Sequence, residues 1–187
     1  MSKRAFVFID GGNFYFKLKE LTSKLNGKYN LTDFNFRKFA EWLVKPNKLI
    51  EIRYYLRAVK RERNNPKSEQ LYADQQKLLG KLQQQNIAIT LGQVIRHPDK
   101  THHEKGVDVR LAVEMIRFAR EGKYDIAYLV SSDTDLVAAV EEVKAFNKTV
   151  QYVGTPKGQS LGLSRVADDV RLLRSEEIEQ FLPKSLI

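Results

Sequence analysis

The chain has 187 residues, a length that suits one domain with a sizeable core, and a hydrophobic content of 42% that separates it from disordered tails, so residues 1–187 are read as a single domain. It has no cysteine, which excludes a disulfide framework, a thiolate zinc site and a cysteine nucleophile and suits a reducing compartment. Its formal net charge of +9 turns attention to polyanionic partners, nucleic acid first.

The opening "MSKRAFVFID" places basic residues before an apolar run, as a signal peptide does, but the run is short and passes at once into a charge and glycines. No apolar run is long enough to span a bilayer. The reading is a cytoplasmic protein without a membrane partner.

Residues 5–10, "AFVFID", predict a strand buried on both faces, as in a parallel sheet. "GNFYFKLKELTSKL" then has helical spacing through Phe14, Leu18, Leu21 and Leu25. A second helix is expected over "LTDFNFRKFAEWLV", with Phe36, Phe39, Ala40 and Leu43 inward and Thr32 or Asp33 as its cap. A strand at 49–58 and a polar loop at "RERNN" follow. Pro66 suits the start of a helix whose stripe is Leu71, Gln75, Leu78, Leu79 and Leu82, its other glutamines facing solvent. "IAITLGQVI", 87–95, predicts one continuous third strand, and "RHPDKTHHEKG" a polar loop. "VDVRLAVEMIRFAREG" is a helix with Val107, Leu111, Met115, Phe118 and Ala119 on one face. A strand at "YDIAYLVSSD", a helix at "DLVAAVEEVKAFN" and a strand at "TVQYVG" come next, then a short helix, a sixth strand at "DVRLL" and the helical "SEEIEQFL". Such alternation predicts an α/β fold, a mostly parallel sheet of five or six strands with helices on both faces.

In such a sheet ligands bind beyond the carboxyl ends of the strands, and acid gathers there. Asp10 ends the first strand, Asp133 and Asp135 end the fourth in "SSDTD", and Asp108 opens the helix at "KGVD". Each alone has a structural explanation. Asp10 before Gly11 can serve a turn, Asp108 suits a helix's first turn, and Asp133 can cap. Together, carboxylates converging on one edge repel unless some protonate or a cation neutralises them. Hard oxygen donors and no histidine in these motifs favour Mg²⁺ or Mn²⁺ over zinc as that cation. A cation held by carboxylates within a basic surface is the arrangement that cuts a phosphodiester. Gly11 and Gly12 are expected to let backbone approach metal or phosphate.

"FIDGGNFY", "KGVDVRLAVEM" and "LVSSDTDLVAAVEEV", in that order, resemble the NYN domain in its LabA-like branch, within the PIN-like nuclease superfamily. The resemblance covers roughly residues 4–174. It implies strand order 3-2-1-4-5, a PIN-like three-layer sandwich and a ribonuclease-type metal site acting on RNA. It implies Asp10, Asp108 and Asp133 as metal ligands, Asp135 as a fourth acid, Asn13 as an orienting group, and Ser131 and Ser132 as supports. The family's further acid after the first strand has only Glu20 and Glu41 as candidates here, neither in an alignable motif.

Lys105 and the "RAVKRER" group, with Arg57, Lys60, Arg61 and Arg63, are candidate phosphate contacts, the run reading equally as a solvated charge cluster. DNA stays open beside RNA, as does a homo-oligomer. His97, His102 and His103 beside Glu104 match no zinc spacing and read as a solvated loop. "VGTPKGQSLG" lacks the Walker spacing. The main rival is an RNA-binding module whose PIN-like site is weak or inactive. A haloacid dehalogenase-type phosphatase would need a second aspartate where Gly12 stands, and a nicotinamide enzyme would need a G-x-G-x-x-G turn that is absent.

Overall fold

The elements run β1 (Arg4–Asp10), α1 (Gly11–Thr22), α2 (Phe36–Leu43), β2 (Lys48–Leu56), α3 (Pro66–Gln84), β3 (Ala88–Leu91), β4 (Gln93–Arg96) and β5 (His102–Lys105). They continue with α4 (Val107–Arg120), β6 (Ile126–Val130), α5 (Val137–Ala145), β7 (Thr149–Gly154), α6 (Leu161–Val166), β8 (Asp169–Leu172) and α7 (Ser175–Glu179). The computed structural model describes residues 2–25, 29–62, 64–96 and 102–183, with backbone alone for 93–96 and 102–105.

β1 organises the rest. Ala5, Val7 and Ile9 enter one hydrophobic cluster and Phe6 and Phe8 the other, because successive side chains point to opposite faces of a strand. The first cluster joins α1, α2 and α7 to the sheet through Phe14, Leu18, Phe39 and Ile178, and Leu82 brings in the end of α3. The second joins α4, α5 and α6 through Leu111, Met115, Val140 and Leu163. The result is helix, sheet, helix, in three layers.

The main sheet is parallel throughout, in the order β3-β2-β1-β6-β7-β8. Counting its strands alone, this is the implied 3-2-1-4-5 with a sixth strand at the edge. From β1 the chain builds outward one way to β2 and β3, then returns to add β6 on the other side. The topological switch point therefore lies between β1 and β6. Asp10 pairs with Tyr55 in the β1–β2 register and Ile9 with Val130 in the β1–β6 register, so all three strands end at one edge.

Three local expectations change. The third strand is not continuous: Gly92 donates its N–H to the Leu56 carbonyl at 3.0 Å, and the chain then leaves the sheet. Beyond that point β4 pairs antiparallel with β5 as a separate two-stranded arm, so part of the expected histidine loop is strand. Glycine inside a strand pattern often marks such a bend. The cap of α2 is Asn35, whose side chain accepts from the Lys38 N–H, while Leu31–Asp33 form a separate 3₁₀ turn capped by Asn30. In α3, Leu71 is exposed while Gln75 and Leu82 are buried, so only the later part of the expected stripe of this 19-residue helix meets the core. Among the described residues no helix is long and apolar enough to cross a membrane.

Candidate metal centre

Asp10 has two local duties. As the last residue of β1 it is also the N-cap of α1, and its Oδ1 accepts the Asn13 N–H at 3.1 Å. Its Oδ2 accepts the Ser131 hydroxyl at 2.9 Å. The Ser131 Oγ in turn accepts the Asp133 N–H at 3.1 Å, and Asp133 Oδ1 accepts the Asp135 N–H at 3.0 Å to cap the 3₁₀ turn Thr134–Leu136. Asn13 closes the circuit by accepting the Ser132 N–H at 3.1 Å. The end of β1, the start of α1 and the turn after β6 are thereby held in one hydrogen-bonded unit across the switch point.

Asp108 arrives from the other side. It sits in the first turn of α4, where the helix dipole favours negative charge. The N-cap of that helix is Gly106 at φ +95°, a left-handed conformation that glycine adopts at no steric cost.

Oxygens of Asp10, Asp108 and Asp133 lie within 4.8 Å of one another. Oxygens on one octahedral Mg²⁺ stand about 2.9 Å apart in neighbouring positions and about 4.2 Å apart in opposite ones, from the metal–oxygen distance of roughly 2.1 Å. The three carboxylates are thus close enough for a modest shift of their side chains to bring them onto one ion. All donors are hard oxygen, and the hydrogen bonds to Asp10 leave lone pairs on both oxygens. The residues fit a hard divalent cation.

The electrostatics point the same way. Burial pushes the Asp10 carboxyl above its ordinary range; the Asn13 N–H and the Ser131 hydroxyl pull it back, and the charges of Asp108 and Asp133 push it up again. A buried carboxylate with two acidic neighbours is the group a cation would relieve.

The cluster lines a cavity of about 290 Å³, with Gly12, Asn13, Phe16, Tyr55, Arg57 and Val107 completing the wall. Arg57 Nη2 stands 3.9 Å from Asp108 Oδ2. Its backbone is fixed from α3: Gln75, buried, donates to the Arg57 carbonyl at 2.6 Å and accepts the Val59 N–H at 2.8 Å. Tyr55 is anchored behind the wall, its hydroxyl donating to the buried Glu114 carboxylate at 2.9 Å. Arg53 and Arg110 also donate to Glu114, each with a contact of 2.8 Å. Burial opposes ionisation of Glu114, but these bonds together hold its pKa below the ordinary value.

Several expected site residues lie elsewhere. Asp135 is exposed and its carboxylate is outside the three-acid group; only its backbone takes part, by donating to Asp133. Glu20 pairs with Lys157 at 3.7 Å and Glu41 with Arg37 at 3.5 Å, and neither belongs to the three-acid group. Lys60 and Arg61 do not line the cavity. The Lys60 carbonyl accepts the Ser68 hydroxyl, and Arg61 pairs with Glu69 in the first turn of α3 at 3.5 Å. Arg63 and His97 fall outside the described residues, as do the side chains of Lys105, His102, His103 and Glu104.

Gly11 has a different role from the one expected. A Cβ there would meet the Tyr54 ring at 2.2 Å and the Tyr55 carbonyl at 2.8 Å, so this glycine lets α1 start against β2. At Gly12 a Cβ would meet only Asp10 Oδ1, at 3.8 Å, an ordinary contact. Sequence reasoning missed Phe16, Tyr55 and Val107 as wall residues and Gln75 as a clamp. The four-residue spacing of Gly12 and Phe16 on a helix opening at Asp10 was a usable signal; the stripe position of Gln75 marks it as inward-facing but not as a partner of the Arg57 and Val59 backbone.

The model of the NYN domain family matches residues 4–174. Among solved structures, a protein of unknown function from Vibrio parahaemolyticus is similar in fold, with a TM-score of 0.63, 21% identity and 97% of each chain covered. MurG from Acinetobacter baumannii overlaps at a TM-score of 0.43 and 12% identity, over 90% of this chain and 40% of that one, too little to carry an argument. No curated protein matches.

Proposed function

Because the chain belongs to the NYN domain family, and with it to the PIN-like nuclease superfamily, we propose that it is a metal-dependent ribonuclease that hydrolyses RNA phosphodiester bonds. The observation that carries this reading is the convergence of Asp10, Asp108 and Asp133 within 4.8 Å at the switch point of the sheet. Asp10, Asp108 and Asp133 would hold Mg²⁺ or Mn²⁺. When bound, such an ion supplies Lewis acidity at a phosphoryl oxygen and a water-derived nucleophile at neutral pH. Ser131 and the Asn13 N–H fix the direction of the Asp10 carboxylate, while the Asn13 side chain ties the turn that carries Asp133. Arg57, at the cavity wall and exposed, meets the phosphate backbone, and the basic balance of the chain draws the polyanion in.

The test is cleavage of an end-labelled single-stranded RNA in Mn²⁺, in Mg²⁺ and in EDTA, with the same sequence as DNA alongside. Metal-dependent cleavage of the RNA is expected. No cleavage, together with no metal-induced rise in Tm, overturns the proposal. One observation favours a second reading: Asp135 stands apart, leaving three acids in the group among the described residues. RNA that is bound in the presence of metal but never cut identifies a binding module.

A further inference from the structure

Phe16 is out of place by the ordinary logic of a helix. Its relative exposure is 69%, the highest of any large apolar side chain among the described residues. The packing of α1 does not need it, since Phe14, Leu18 and Leu21 carry the buried face. Instead Phe16 stands one turn beyond Gly12, on the same side of the helix, and so forms part of the wall of the carboxylate cavity. Its neighbour Tyr15 is also exposed, and the two rings meet edge to face at 5.7 Å between centroids and 76° between planes.

A wall that only had to receive a phosphate would be polar. An exposed flat ring beside three carboxylates and Arg57 has a different match in the same molecule: the base carried by the nucleotide whose phosphate lies at the acids. Every nucleobase has a π-face, and stacking on an aromatic side chain is tolerant of sequence. The cavity, about 290 Å³, is at the low end of sizes that take a small ligand. It suits one nucleotide unit with the strand leaving over the rim.

We propose that Phe16 is a nucleobase platform: a base next to the phosphate held at Asp10, Asp108 and Asp133 stacks on its ring, and Tyr15 supports that ring from behind by its edge contact. Phe16 then fixes where the strand sits relative to the acids, without reading which base it carries. The inference rests on the nuclease reading above, and the experiment separates the failure of one from the failure of the other.

The experiment measures binding of two labelled probes in Ca²⁺, which takes oxygen ligands at larger distances than Mg²⁺. One probe is a short oligouridine; the other is a strand of the same length whose residues are all abasic. Proteins are the wild type, Phe16→Ala and Phe16→Trp, all expected to fold alike because the side chain is exposed. Phe16→Ala should bind oligouridine about tenfold more weakly, within the range of one lost base stack. Phe16→Trp should match or exceed the wild type, and all three should bind the abasic strand alike. In Mn²⁺ the alanine variant should show a raised KM with kcat little changed, since stacking acts equally on bound substrate and transition state. Equal binding of oligouridine by wild type and Phe16→Ala overturns the platform and leaves the nuclease reading standing. An equal loss on the abasic strand also overturns it, because the ring would then act by shape alone. If the wild type binds neither strand, both readings fall.

Discussion

Asp10→Asn separates the two reasons for which an aspartate could end β1. Asparagine keeps the shape and the N-cap: its carbonyl oxygen can accept the Asn13 N–H, and its amide can donate to Ser131 Oγ once that hydroxyl turns. What disappears is one negative charge from a group whose oxygens lie within 4.8 Å of those of Asp108 and Asp133. At that separation a pair of like charges costs about 3.5 kcal/mol at an effective dielectric of about 20 and about 0.9 kcal/mol in bulk water. The Asp108 side chain is 38% exposed, so the water limit is the nearer one. Two relieved pairs then stabilise the metal-free protein by about 1–2 kcal/mol, or about 2–8 °C in Tm for a chain of this size. The sign with pH follows from the raised pKa of Asp10. Its protonation stabilises the fold below the ordinary carboxylate range, and that contribution is lost as pH rises through the raised folded value. The advantage of the variant should therefore be largest at neutral pH and close on acidification. In Mn²⁺ the order reverses: the wild type gains Tm with added metal and the variant gains little. Cleavage should fall by more than about 100-fold, since loss of a ligand costs at least as much as loss of the groups behind it. Thermal melts in EDTA and in Mn²⁺, with a labelled-RNA time course, measure all of this. A variant that cuts as fast as the wild type, or that melts several degrees lower in EDTA, would refute the reasoning.

Gly11→Ala should lower stability by about 1–3 kcal/mol through collision with the Tyr54 ring and the Tyr55 carbonyl, while Gly12→Ala should be neutral or stabilising by up to about 1 kcal/mol; urea melts compare the two. Glu114→Ala should cost about 3–5 kcal/mol by leaving Arg53 and Arg110 without their buried partner and releasing Tyr55 from behind the cavity wall, a loss read in the urea midpoint. Arg4 donates to Asp125 and holds its carboxyl down to about 2, so that pair stabilises above the ordinary carboxylate range and its contribution is lost as pH falls toward about 2. Asp125→Asn should accordingly lower Tm by less than about 4 °C at pH 7, with no difference left at the acid limit.

The parallel sheet and its acidic edge were legible because both come from local pattern. A both-faces-buried strand must be apolar at nearly every position, so the change from the apolar Ile9 to a polar residue, itself still buried, marks the strand's end. The same holds at Val130 before "SSD". Where the Asp135 side chain goes is not legible, because a spacing of two residues does not reveal a 3₁₀ turn. With three residues per turn, two steps from Asp133 carry the side chain to another side. Gln75 and Glu114 depend on partners in other segments, and a polar residue within a helical stripe looks alike whether it meets water or the backbone of another segment.

That non-local support decides how a chain of net charge +9 can keep an acidic cavity at all. Arg57 answers part of the repulsion by standing 3.9 Å from Asp108, yet its side chain remains 69% exposed. The arginine is kept at the rim by its backbone, through Gln75, and not by burial of its guanidinium. An exposed ion pair of this length is worth little, at most about 1 kcal/mol, so it does not hold Arg57 against a better partner. A divalent cation among the carboxylates would offset their charge and leave the guanidinium to an incoming phosphate. The same residue then serves both states of the proposed site. It partly neutralises the acids without metal and would offer a cation to the nucleic acid backbone with it, by a turn of one exposed side chain on a fixed backbone.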